Sequence, residues 1–88
     1  MDEDNRFNIY IGCWIKQLRC LHGMSKIQFS EKIDVNVQDM LMYESGLKSI
    51  PVHVFFRISQ MFNVSINDIL SDYYVELKKD NRFIRKLQ

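Results

Sequence analysis

Residues 25–46 decide the fold, and they read SKIQFSEKIDVNVQDMLMYESG. Ser25 and Gln28 have the spacing of a capping box, in which each side chain accepts a hydrogen bond from the other residue's backbone amide. Asn36 is a second N-cap residue, and Gly46 suits the left-handed conformation that ends a helix. This stretch therefore predicts two short helices separated by a three-residue turn.

The corner between these two helices imposes several requirements at once. A small residue must stand where the helices touch, and Ser30 is small. The turn needs a residue that tolerates a positive φ, and we expect Asp34 there because Asp enters that region more easily than most residues. Apolar anchors must hold both helices to a core, and the sequence supplies Phe29, Ile33, Val35, Met40 and Tyr43. Since all these requirements are met in register, we predict a helix-turn-helix.

Apolar residues at helical spacing continue on both sides of this corner. The pattern predicts a first helix at about residues 8–22, ending at Gly23, with Ile11, Trp14, Ile15, Leu18 and Leu21 facing inward. Pro51 suits the start of a helix over residues 52–62. Ser65 begins a fifth helix with Ile66, Ile69 and Leu70 inward. Five short helices with short connections predict an all-α domain over residues 8–72.

Two segments flank the predicted domain. Residues 1–7 form an acidic N-terminal segment, and residues 73–88 form an extension with five Lys or Arg against two Asp or Glu. We predict that the extension is helical, while two strands paired across residues 78–81 remain the alternative. Its large apolar side chains need burial. We therefore expect a dimer interface formed by Tyr73, Tyr74, Leu77, Phe83, Ile84 and Leu87.

The composition limits the classes of protein to consider. The chain has 88 residues, 47% of them hydrophobic, which is ordinary for one globular domain. Twelve Lys or Arg against eleven Asp or Glu give a net charge of +1, whereas nucleic-acid binders are usually strongly basic. The sequence contains no nucleophile elbow, phosphate-binding glycine loop or metal-ligand spacing. We expect neither an enzyme nor a bound cofactor or metal.

A family resemblance covers about two thirds of the chain, from Gly12 to Leu70. This run resembles the lambda-repressor-like, Cro/cI (XRE) helix-turn-helix family. The matching elements are Gly12-x-x-Ile15-x-x-Leu18-Arg19, Gly23-Met24-Ser25, Phe29-Ser30-x-x-Ile33-x-Val35, Met40-x-x-Tyr43-Glu44-x-Gly46, Ile50-Pro51, Phe55-x-x-Ile58 and Phe62-x-Val64-Ser65-x-x-x-Ile69-Leu70. The resemblance implies a bacterial or phage transcription regulator that binds double-stranded DNA as a homodimer, with a recognition helix at about residues 37–45 in the major groove.

The resemblance also implies which residues contact DNA and which form a structural ion pair. The exposed positions around the recognition helix would be Asn36, Val37, Gln38, Leu41, Met42 and Ser45. Gln38 is the evident base reader, because Gln pairs bidentately with adenine. Lys26 and Lys48 are candidates for phosphate contacts, with a solvated surface as the alternative. In the family, the positions of Arg19 and Glu44 commonly form an ion pair, so we expect one here rather than two unrelated surface charges.

The recognition helix departs from the family pattern because Val37, Leu41 and Met42 are apolar. These side chains can contact thymine methyl groups, pack into the core in a shifted register, or contact another protein. The alternative function is therefore a protein-interaction module on the same fold, similar to an antitoxin or antirepressor.

The cysteines and the N-terminus bear on location and redox chemistry. Cys13 and Cys20 are seven residues apart, about 10 Å along a helix, which is too far for a disulfide. We expect buried, reduced thiols, and a thiol-based redox regulator is a further alternative. The acidic N-terminus lacks the apolar core of a signal peptide, and no apolar run approaches the ~20 residues that span a bilayer. We expect a cytoplasmic protein with no membrane or small-molecule partner.

Overall fold

The computed structural model describes residues 3–78, except the side chains of residues 3, 4, 76 and 77. In this range the chain forms the helices α1 Glu3–Leu21, α2 Lys26–Lys32, α3 Val37–Ser45, α4 Val52–Met61 and α5 Ile66–Lys78. The prediction of an all-α, five-helix architecture is confirmed. Within the described range, no helix is long and apolar enough to cross a membrane.

All five helices contribute to one apolar core. Its buried members are Ile11, Ile15, Leu18, Phe29, Ile33, Met40, Tyr43, Val54, Ile58 and Ile69. Phe29, Ile33 and Met40 are 0% exposed and Tyr43 is 5% exposed, so four of the five expected anchors are buried, while Val35 is partly buried against the core. Burying one such side chain contributes about 1.5–3 kcal/mol, which makes this core the main support for the position of α3.

The corner between α2 and α3 has the predicted geometry. Ser25 Oγ accepts from the Gln28 amide at 3.1 Å, and Gln28 Oε1 accepts from the Ser25 amide at 2.9 Å, which completes the capping box. Asp34 has a φ of 58°, as expected for the turn. The Val35 amide then donates to the carbonyl of the buried Ser30 at 3.0 Å. These bonds fix the angle at which α3 leaves α2.

An arginine from α4 closes the end of α2. Arg57 donates from Nη1 to the carbonyl oxygen of Ile33 and, at 3.4 Å, to that of Asp34. The last carbonyls of a helix have no partner within the helix, so this guanidinium supplies donors that the turn itself lacks. The turn is thereby tied to a helix that lies later in the chain.

Three predictions about which side chains are buried are wrong. Cys13 and Cys20 are exposed, because at about 100° per residue they lie on the side of α1 opposite the buried Ile11. Leu21, the last residue of α1, is 81% exposed. Leu70 is 41% exposed because its neighbour Ile69 takes the inward position on α5.

The outer helices are longer than predicted. α1 begins at Glu3, so most of the acidic segment at residues 1–7 belongs to this helix. α5 continues to Lys78, so the boundary expected between residues 72 and 73 falls inside it, and the strand alternative is wrong for residues 73–77. The ring of Tyr73 packs against Phe7 and Tyr10 of α1, with centroids 5.1 and 4.9 Å apart, and this contact holds α5 on α1.

Candidate nucleic-acid interface

The C-terminal end of α3 lies in close backbone contact with α1. A Cβ on Gly12 would meet the carbonyl oxygens of Tyr43 and Glu44, the latter at 2.7 Å. A Cβ on Gly46, which ends α3 with a φ of 77°, would lie 2.9 Å from Ile9 Cα. Real Cβ atoms do not tolerate such distances, so both glycines are required for this approach. The contact fixes one end of α3 against the scaffold.

An ion pair secures the same end of α3. Arg19 of α1 donates from Nε to Glu44 Oε2 at 2.8 Å and from Nη2 to Glu44 Oε1 at 3.3 Å, while its Nη1 donates to the carbonyl of Met24 at 3.0 Å. The two side chains are only 10% and 6% exposed. The hydrogen bond to Glu44 raises the pKa of Arg19 above its ordinary value. One guanidinium therefore joins α1, the loop before α2 and α3. The resemblance implied the pair with Glu44 but not the contact with the Met24 carbonyl.

The N-terminal end of α3 carries a small polar cluster. Asn36 Oδ1 caps the helix by accepting from the Asp39 amide at 2.7 Å, and Asn36 Nδ2 donates to Asp39 Oδ2 at 3.3 Å. Lys48 Nζ, from the loop after α3, donates to Asp39 Oδ1 at 2.9 Å. That hydrogen bond raises the pKa of Lys48 above its ordinary value. The Lys48 expected at a phosphate thus has a carboxylate partner in the free protein.

Between its two fixed ends, α3 presents one exposed face. We call it the α3 face, and it consists of Val37, Gln38, Leu41, Met42 and Ser45. Met40 and Tyr43 point the opposite way into the core. Val37, Leu41 and Met42 are 39%, 39% and 37% exposed, so burial of these side chains in a shifted register is excluded.

The α3 face combines one strong hydrogen-bonding group with apolar surface. The Gln38 amide offers both a donor and an acceptor, while the hydroxyl of Ser45 donates to the carbonyl of Met42 at 3.1 Å. Lys26, the first residue of α2, is exposed. The arrangement can read a base edge, contact methyl groups and neutralise phosphates nearby.

The residues expected at a dimer interface lie in different environments. Tyr73 packs within its own chain, whereas Tyr74 is 58% exposed. Lys78 Nζ lies 4.6 Å from the centroid of the Tyr74 ring. Val75 and Leu70 add apolar surface, being 50% and 41% exposed. Leu77 lies in α5. The remaining members of the set, Phe83, Ile84 and Leu87, fall outside the described residues.

Sequence reasoning did not find the pairing of Lys48 with Asp39. The spacing of Asn36 and Asp39 resembles that of a capping pair, which was the available signal for the cluster. The approach of Lys48 was hidden, because it depends on how the chain reverses direction at Gly46 after the helix.

Comparisons with known proteins agree with this geometry. A helix-turn-helix family model matches residues 15–69, which include all of α2, α3 and α4. The chain is 32% identical over 62 residues to the antitoxin PezA of Streptococcus pneumoniae serotype 4 (strain ATCC BAA-334 / TIGR4), covering 70% of this chain and 39% of that protein. It is 27% identical over 70 residues to an uncharacterized HTH-type transcriptional regulator of Sinorhizobium medicae (strain WSM419), covering 80% of this chain and 50% of that protein.

A relative in Rhizobium meliloti (strain 1021), also described as an uncharacterized HTH-type transcriptional regulator, matches with the same identity and coverage. The chain thus spans half or less of the length of the curated relatives it matches. No solved structure matches it significantly.

Proposed function

This chain belongs to the helix-turn-helix family, of the Cro/cI type that its sequence resembles, and from that premise we propose that it is a sequence-specific transcriptional regulator. It binds double-stranded DNA as a homodimer in the cytoplasm and performs no enzymatic reaction. α3 is its recognition helix and lies in the major groove, as the second helix of this motif does.

The observation that carries this proposal is the α3 face itself. α3 is fixed against α1 by Gly12 and the Arg19–Glu44 pair, yet its opposite side is exposed. A rigid helix with a free face suits insertion into a groove about 12 Å wide. In this interface, Gln38 reads an adenine edge, and Val37, Leu41 and Met42 contact thymine methyl groups. Asn36, Ser45, Lys26 and Lys48 contact the backbone.

Dimerisation supplies the affinity that one nearly neutral chain lacks. Two copies place their α3 helices about 34 Å apart, one turn of DNA, and so contact two half-sites. We assign DNA binding to residues 8–72 and the interface to residues 73–88. Tyr74 is the exposed aromatic residue where this extension begins, and Leu77, Phe83, Ile84 and Leu87 continue it. Tyr73 supports the interface from within its own chain, since it anchors α5 on α1.

Binding to selected duplexes at several salt concentrations tests the DNA-binding function. Duplexes bound by the protein are selected from a random pool, and their affinities are measured by fluorescence anisotropy. If Lys26 and Lys48 of both protomers contact phosphates, the slope of log K against log salt is about −3.6, so affinity falls about 150-fold between 50 and 200 mM salt. Failure to enrich any sequence, or affinity that does not change with salt, would contradict the proposal.

Gln38→Ala tests direct reading of the bases. The change should lower affinity for the selected duplex by about 1–3 kcal/mol and leave affinity for an unrelated duplex almost unchanged. Gln17→Ala is the matched control, because Gln17 is an exposed residue of α1 away from the α3 face. Equal losses for both variants, or for both duplexes, would show that Gln38 does not read sequence.

A second candidate function is a protein-interaction module, and the apolar part of the α3 face favours it. Three exposed apolar side chains on one helix face suit a hydrophobic groove on a partner protein. The relative named as an antitoxin is compatible with this function. A complex held by apolar contacts keeps its affinity as salt rises, whereas a DNA complex loses it.

Leu41→Lys distinguishes the two functions. It places a cation on the α3 face, which disrupts an apolar protein interface but adds attraction to DNA phosphates. Stronger binding to unrelated duplexes supports DNA recognition. If the wild-type chain isolates a salt-resistant protein complex from its own cells and Leu41→Lys does not, the protein-interaction module is supported instead.

A further inference from the structure

The carboxylate of Asp39 lies beside the proposed DNA interface, where hydrogen-bond donors and cations are expected because DNA is negatively charged. Asp39 lies in the first turn of α3, next to the Asn36 cap, and accepts a hydrogen bond from Lys48 Nζ at 2.9 Å. Lys48 Nζ also lies 6.0 Å from the centroid of the Tyr43 ring, so the side chain runs along α3 to reach Asp39. Among the described residues, α3 takes part in two ion pairs, this one and Arg19–Glu44.

We propose, on the basis of the DNA-binding function above, that Asp39 restrains Lys48 in the free protein and lowers its affinity for DNA, and that Lys48 exchanges the Asp39 carboxylate for a backbone phosphate on binding. Asp39 is thus an affinity-setting residue of the interface. It keeps the regulator from holding DNA non-specifically through Lys48 alone.

The exposure of the pair makes this exchange feasible. The side chains of Lys48 and Asp39 are 46% and 32% exposed, in contrast to 10% and 6% for Arg19 and Glu44. An exposed ion pair contributes little to stability and opens readily, whereas a buried one holds its partners in place. The first pair can therefore change partners while the second keeps α3 in position.

Asp39 keeps a hydrogen-bond donor after Lys48 has moved to a phosphate. Asn36 Nδ2 already donates to Asp39 Oδ2 at 3.3 Å, so the carboxylate retains a donor when Lys48 leaves. The cap of α3 is unaffected, because Asn36 Oδ1 accepts from the backbone amide of Asp39 and not from its side chain. The negative charge nevertheless remains beside the DNA, and this repulsion weakens binding to any sequence.

Asp39→Asn tests the proposal, with Asp72→Asn as the matched control. Both variants change the charge by the same amount at a residue that is not fully buried, but Asp72 lies on α5. Circular-dichroism melting checks that both fold, which we expect because the backbone cap at residue 39 is retained. Affinities for a selected duplex and for an unrelated duplex are measured between 50 and 200 mM salt.

We expect Asp39→Asn to bind both duplexes about fivefold more tightly per protomer, the equivalent of one exposed ion pair. Asp72→Asn should remain near the wild type. As a single substitution, Lys48→Gln should make the slope of log K against log salt less steep by about 0.9 per protomer, because one phosphate contact is lost. In a chain that already carries Lys48→Gln, Asp39→Asn should increase DNA affinity by less, since there is no Lys48 ammonium to release.

The outcomes separate this proposal from the function on which it depends. Wild-type binding with an unchanged affinity for Asp39→Asn would overturn the role of Asp39 alone. An unchanged salt slope for Lys48→Gln would show that the pair stays closed on DNA, and would overturn the exchange. Failure of the wild type and of Asp39→Asn to bind any duplex would overturn both the DNA-binding function and the exchange.

Discussion

Removing the Glu44 side chain should destabilise the domain severely, because the buried guanidinium of Arg19 loses its counterion. In Glu44→Ala, Arg19 loses two hydrogen bonds, at 2.8 and 3.3 Å, and keeps only the one to the Met24 carbonyl. Arg19 is 8% exposed as a residue, so water cannot fully replace the missing carboxylate. The positive charge would remain in place without its counterion.

The size of the effect follows from this burial. Breaking a buried ion pair by removing one partner costs about 3–5 kcal/mol. We expect about 3 kcal/mol for Glu44→Ala, at the low end of that range, because the outer edge of the Arg19 side chain still reaches solvent. For a domain of this size each kcal/mol lowers Tm by about 4–8 °C, so the expected decrease is about 12–24 °C.

Urea denaturation and thermal melting measure this loss, and a double-mutant cycle identifies its cause. Arg19→Met combined with Glu44→Ala should be less destabilised than the sum of the single variants, because it leaves no unpaired charge. Glu31→Ala, an exposed carboxylate on α2, should change stability by no more than about 0.5 kcal/mol. If Glu44→Ala behaves like Glu31→Ala, or if the cycle is additive, the pair does not hold α3 on α1.

Substitutions at three further positions probe the support of α3, each by urea denaturation. Gly12→Ala should cost about 1–3 kcal/mol or prevent folding, because its Cβ meets the Glu44 carbonyl oxygen at 2.7 Å; a wild-type stability would refute the close approach. Asn36→Ala should cost about 1 kcal/mol by removing the cap on the Asp39 amide, whereas Asn36→Ser should retain most of it. Asp34→Gly should be tolerated and Asp34→Leu should cost about 1–2 kcal/mol, since φ is 58°; equal stabilities would contradict the turn.

The sequence predicted the helix-turn-helix corner well because its determinants are local. Caps, turn residues and apolar anchors act within a few positions of one another, so Ser25, Asp34 and Asn36 can be recognised without the fold. The ends of α1 and α5 were harder to predict. They depend on tertiary contact, since Tyr73 continues α5 by packing on Phe7 and Tyr10, far away in the sequence.

The candidate interface was predicted only in part. Helical periodicity was sufficient to place Gln38 and Leu41 on one face of α3, and their exposure agrees with it. It could not show that Lys48 is held by Asp39, because that contact depends on the path of the loop after the helix. The exposure of Cys13 and Cys20 was predictable in principle from their angle to Ile11, but their apolar character suggested burial instead.

An NMR titration of the labelled protein with a selected duplex tests the central claim most directly, namely that the α3 face binds DNA. We expect the largest backbone chemical-shift changes between residues 36 and 48 and at Lys26, with the buried core of α4 and α5 almost unaffected. Changes confined to α5, or none at a concentration of duplex that saturates anisotropy, would contradict the account.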